Sequence, residues 1–101
     1  MIFATILSAQ KALIKDVVQN DEPTEILNFK LYPNPVLENR VYITTKNNAI
    51  KDIVIYNIFG EVVLKQRLIT KELNITKLVS GIYLIQVTEN KKSITRKLVV
   101  K

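Results

Sequence analysis

The chain has no cysteine, no histidine and no tryptophan. Without cysteine, no disulfide can staple it and no thiolate can act as nucleophile or metal ligand. Without histidine, it lacks the side chain that titrates nearest neutral pH and most often binds transition metals. Carboxylates, lysines and hydroxyls are what remains for catalysis. The nine acids are Asp16, Asp21, Glu22, Glu25, Glu38, Asp52, Glu61, Glu72 and Glu89. No two of them sit at the spacing of a metal loop or an acid–base dyad within one element. The densest group, Asp21, Glu22 and Glu25, reads as a solvated linker. P-loop, GxGxxG and GxSxG patterns are all missing. The sequence therefore predicts no enzyme, no metal and no cofactor.

Aromatic residues are also few, at 7%. The net charge of +6 would suit a polyanion such as nucleic acid. Yet Phe29, Tyr32, Tyr42, Tyr56 and Tyr83 all fall inside strand-like runs, which predicts that they are core. There is no basic helix and no K/R-G-F/Y pattern of an RNA-binding sheet. Nucleic acid is not an expected partner. At 101 residues, 48% hydrophobic and 24% charged, the composition is that of one small globular domain.

The first residues, MIFATILSAQ, differ from the rest. An apolar run leads to Ser8, Ala9 and Gln10, as at the end of a secretory signal peptide, although the basic start of such a signal is missing. Residues 1–9 are accordingly expected to be a signal-peptide remnant, too short to span a bilayer. Residues 10–28 read as a linker with one or two helical turns. Leu13 with Val17 and Ile14 with Val18 keep helical spacing, and Asn20, Asp21 and Pro23 end it.

From Phe29 the period becomes two and β-branched residues dominate. Seven strands are predicted: Phe29–Tyr32, Arg40–Thr45, Asp52–Ile58, Glu61–Arg67, Lys71–Thr76, Ile82–Thr88 and Ser93–Val100. The short connections between them call for antiparallel pairing, hence an all-β sandwich. Tyr83, Ile85 and Val87 should face inward, as should Ile94, Leu98 and Val100, with Arg96 the exception on that side. Lys97 and Lys101 should share the outward side. The run Ile53-Val54-Ile55-Tyr56, apolar on both faces, predicts a central strand. Asn74-Ile75-Thr76 fits a glycosylation pattern but sits in a predicted strand, and is read as chance.

Glycine and proline are scarce, with two and three residues. Gly60, between two strands, should take a positive φ in a hairpin. Gly81 should allow a kink or a close backbone approach where a strand starts. Pro33-Asn34-Pro35 should form a stiff, extended segment, since each proline fixes its own φ and restricts the residue before it.

These residues come in a recognisable order. Leu31-Tyr32-Pro33-Asn34-Pro35 is followed by Ile55-Tyr56-Asn57 with Gly60 and Val62. Then come Leu78 with Ser80-Gly81-Ile82-Tyr83, and finally Lys97-Leu98-Val99-Val100-Lys101. In that order and spacing, residues 29–101 resemble the type A C-terminal sorting domain of the type IX secretion system. The resemblance implies a small Ig-like sandwich of about seven antiparallel strands. It also implies that the domain is a transport address, followed by Gram-negative bacteria from the periplasm across the outer membrane to the cell surface or medium. The partners it implies are translocon components, an outer-membrane shuttle barrel and a cell-surface sortase. Carried over to this sequence, the recognition candidates are Tyr32, Pro33, Asn34, Pro35, Gly60, Gly81, Tyr83, Lys97 and Lys101. Removing the last five residues should abolish export while the domain still folds. Most family members carry this domain behind a large cargo domain, whereas fewer than twenty residues separate the expected signal remnant from Phe29.

The alternative is a free-standing β-sandwich that binds glycans or polyanions. The charge supports it, and the lack of tryptophan and of exposed tyrosine pairs for sugar stacking counts against it.

Overall fold

The computed structural model describes residues 25–101, which form seven strands: β1 Lys30–Tyr32, β2 Arg40–Thr44, β3 Lys51–Tyr56, β4 Val62–Leu68, β5 Glu72–Asn74, β6 Gly81–Glu89 and β7 Lys92–Val100. The expected signal remnant, and the linker up to residue 24, lie outside the described residues. Every predicted strand is present. They pair antiparallel in two sheets, ordered β1-β2-β5 and β4-β3-β6-β7. The chain changes sheet between β2 and β3, between β4 and β5 and between β5 and β6, giving an Ig-like sandwich.

Alternation builds the core. Val41 and Ile43 of β2 and Leu73 of β5 face Ile53 and Ile55 of β3, and Tyr83, Ile85 and Val87 of β6. Ile94, Leu98 and Val100 of β7 complete that layer. The strand with two apolar faces, β3, is central in its sheet. Arg96 shares the core-side parity of β7 yet stays exposed: its guanidinium lies 5.6 Å from the centre of the Phe29 ring, a cation–π contact, and donates to the Thr95 carbonyl.

Four expectations change. Of the strand aromatics only Tyr83 is fully in the core; Phe29 packs against it in part, and Tyr42 and Tyr56 are half-buried. Tyr32 is exposed and stacks on the half-buried Tyr42 across the β1–β2 pair, ring centres 5.6 Å apart. Pro33-Asn34-Pro35 is bent rather than extended, and both Tyr32–Pro33 and Asn34–Pro35 peptide bonds are cis. Gly81 shows no close backbone approach: the nearest atoms to an added Cβ belong to the Tyr83 side chain, at an ordinary 3.7 Å. Finally, Glu89-Asn90-Lys91-Lys92 is not a four-residue loop. Glu89 ends β6, Lys92 starts β7 and the two face each other in register.

That last hairpin turns on Asn90 and Lys91 alone, with φ of 51° and 65°. Both are left-handed, as a two-residue type I′ turn requires, and glycine is the residue that adopts this at least cost. Lys91→Gly is expected to stabilise the domain by about 1 kcal/mol, raising the thermal midpoint by about 4–8 °C. A melt followed by circular dichroism checks it; an unchanged or lower midpoint would show that Lys91 bears no strain.

The ends of the sandwich differ. At one end, Lys51 and Glu89 lie opposite each other on β3 and β6, 1% and 4% exposed, as a buried ion pair with Nζ to Oε2 at 3.2 Å. Glu89 Oε2 also accepts from the Thr45 hydroxyl at 2.6 Å and the Ala49 amide at 3.0 Å. Lys51 Nζ donates in addition to the Ala49 carbonyl at 2.8 Å. The other end carries the motifs.

Candidate functional site

The β3–β4 hairpin is organised by Asn57. Its Oδ1 accepts from the amides of Phe59 and Glu61 at 2.9 and 3.0 Å, and its Nδ2 donates to Glu61 Oε1 at 3.0 Å. Gly60 has φ +80° and donates to the Asn57 carbonyl. Nothing lies within 4 Å of where its Cβ would be, so the demand for glycine is conformational alone. The fold of this loop leaves Ile58 and Phe59 pointing into solvent, 74% and 80% exposed.

Beside that hairpin β6 begins. Tyr83 is buried, and its hydroxyl donates to the Val79 carbonyl at 2.6 Å, four residues upstream. This is the tyrosine corner found in Ig-like sandwiches, where the chain enters the sixth strand. It ties down the Leu78–Gly81 approach. Gly81 pairs with Val100, so the end of β7 lies at this same end.

The bent proline segment closes onto β7. Asn34 Nδ2 donates to the Lys97 carbonyl at 2.8 Å, and Asn34 Oδ1 accepts from the Val99 amide at 3.0 Å. Val36, fully buried, donates to the Val99 carbonyl at 2.7 Å and accepts from the Lys101 amide at 3.0 Å. The side-chain amide of Asn34 thus pairs like a peptide group, and Val36 continues the pairing as a parallel bridge to Val100. The outer side of β7 is occupied from the Lys97 carbonyl onward.

Four motifs far apart in sequence therefore meet at one end of the large sheet: Pro33–Pro35, Asn57–Gly60, Gly81–Tyr83 and Lys97–Lys101. Their members divide by what they can offer. Asn34, Gly60 and Tyr83 are spent on building the end, and Gly81 is half-buried where β6 begins. Pro33, Pro35, Lys97 and Lys101 are exposed. Tyr32 belongs instead to the small sheet, against Tyr42.

Sequence reasoning missed the apolar part of this surface. Ile82 and Leu84 point outward from β6 and are about half exposed, and Val62 of β4 is exposed too. Ile82 sits opposite Val99, and Leu84 between Tyr56 and Lys97. A shallow depression of ≈ 270 Å³ runs between Ile58, Gly60, Ile82 and Leu84. Two rows away the same face is polar: the Thr88 and Ser93 hydroxyls bond at 2.7 Å, and Arg67 pairs with Asp52 at 3.4 Å. The outward parity of Ile82 and Leu84 was the available signal. An apolar patch with charged neighbours is what a protein-binding surface looks like.

Among the described residues there is no cluster of acids able to hold a metal, and no helix long and apolar enough to cross a membrane.

The profile of the family described as secretion system C-terminal sorting domain matches residues 30–101. No curated protein matches the chain. Among solved structures, PorZ is similar, a surface component of the type IX secretion system of Porphyromonas gingivalis. The TM-score is 0.55 at 22% identity, over 73% of this chain and 11% of PorZ. That likeness supports the fold.

Proposed function

The chain belongs to the secretion system C-terminal sorting domains, and on that premise we propose that the motif-bearing end of the large sheet is the surface the export machinery reads. One observation carries this: four separated motifs converge there, beside exposed Ile58, Phe59, Ile82 and Leu84. Lys97 and Lys101 flank the apolar patch. They supply charge complementarity, and the apolar residues supply the buried centre of a contact. The readers are translocon components, an outer-membrane shuttle barrel and a cell-surface sortase, and the route runs from the periplasm to the surface or medium.

The test is a reporter behind a complete signal peptide, fused to residues 20–101, in a bacterium with the type IX system and in one lacking its translocon. Surface or medium reporter in the first and periplasmic reporter in the second is the expected result. Two variants locate the surface: Lys97→Glu with Lys101→Glu, and Phe59→Ser with Ile82→Ser. Each should lower surface reporter about tenfold or more with little change in melting. Normal export of both variants would place recognition elsewhere. Periplasmic reporter in both strains would favour the glycan- or polyanion-binding alternative.

A further inference from the structure

We propose that the open edge of β4, with the groove between it and β5, takes an extended acidic peptide as an added strand. The sandwich has four edge strands: β1 and β5 in the small sheet, β4 and β7 in the large one. Three of them are short or partly occupied. The end of β7 is covered by Asn34 and Val36. Both β1 and β5 have only three residues, and the Glu72 amide and carbonyl of β5 are engaged by the Thr70 hydroxyl. By contrast β4 runs for seven residues with no described chain on its far side.

The outward bonds of Lys97 and Val99 on β7 fix the alternation of the ladder through β6 and β3. It places the amides and carbonyls of Lys65 and Arg67 on the open side of β4. Beyond them lies a groove of about 610 Å³, with Leu64, Lys65 and Gln66 on one wall and Asn74, Thr76 and Lys77 on the other. No carboxylate lines it. Among the described residues neither Lys65 nor Lys77 has an ion-pair partner, whereas Arg67 is paired with Asp52.

Charge chooses the occupant. A second copy of β4 would set Lys65 and Arg67 against like charges, which disfavours pairing. An acidic strand is attracted by the same residues. Main-chain hydrogen bonds to Lys65 and Arg67 would hold it, and alternate side chains would select it: carboxylates toward Lys65 and Lys77, apolar residues toward Leu64. This site lies on the flank of the sandwich and stands apart from the motif-bearing end.

The test uses the full chain labelled with nitrogen-15 and three heptapeptides: alternating Glu and Val, alternating Lys and Val, and the Glu-Val peptide N-methylated at alternate residues. The Glu-Val peptide should shift the amides of Lys65 and Arg67 and slow their hydrogen exchange. The Lys-Val peptide should not bind. The N-methylated peptide should bind at least about tenfold more weakly, because it keeps the charge and loses strand pairing. Lys65→Glu with Lys77→Glu, both at exposed positions, should reverse the preference between the two unmodified peptides. No binding of the Glu-Val peptide, equal binding of its N-methylated form, protection confined to β7 or to the motif-bearing end, or an unreversed preference would each overturn the proposal.

Discussion

Replacing Glu89 by alanine is expected to cost about 3–5 kcal/mol of folding stability. The loss is large because Lys51 is left behind, 1% exposed, with its ammonium out of water and only the Ala49 carbonyl to receive it. The Thr45 hydroxyl and Ala49 amide lose their acceptor as well. A small domain holds only about 5–15 kcal/mol in total, so the variant should be partly unfolded at 37 °C. The pair itself contributes little net stability, because two desolvated charges roughly offset their own attraction. Lys51→Met with Glu89→Leu should therefore recover most of the loss. Urea melts of the wild type, the single variant and the double variant decide between these terms. A single variant within about 1 kcal/mol of wild type would mean that water reaches Lys51 and the site is not closed.

Removing Lys97–Lys101 is expected to abolish export by unfolding the domain, where the sequence alone predicted that the fold would survive. Leu98 is fully buried and Val100 nearly so, and each supplies about 1.5–3 kcal/mol of apolar burial. The same cut removes the partners of Gly81, Ile82, Tyr83 and Leu84 on β6. It also strands Val36 and Asn34, which bond to Lys97, Val99 and Lys101. Together these losses approach the whole stability of a small domain. The truncated chain should lose its amide dispersion and melt without a transition. If it keeps a cooperative melt and is still not exported, the last residues act by recognition after all. Charge reversal at Lys97 and Lys101 separates the two causes, since exposed substitutions usually change stability by about 0.5 kcal/mol or less.

The strands were legible because period two and turn residues are local signals. The inward set Tyr83, Ile85 and Val87 could be read from β6 alone. What escaped was set by distance. Glu89 stands in a run of six polar residues, Thr88 to Ser93, and looks like loop; only a two-residue turn, with both φ positive, moves it into β6 and against Lys51. Pro33-Asn34-Pro35 was visible as a special backbone, but its bonds to β7 lie 63 and 65 residues away. Ile58 and Phe59 looked like a strand end and a turn, whereas the loop that Asn57 ties lifts both into solvent.

The closure of Asn34 and Val36 on β7 makes this end of the sandwich conditional on its last strand. Contacts of such long sequence separation form only when both partners exist. A ribosome that stops before Lys97 releases a chain with an unpaired proline turn and no finished surface. A nascent chain thus cannot complete this end of the sandwich until Lys97–Lys101 have been synthesised.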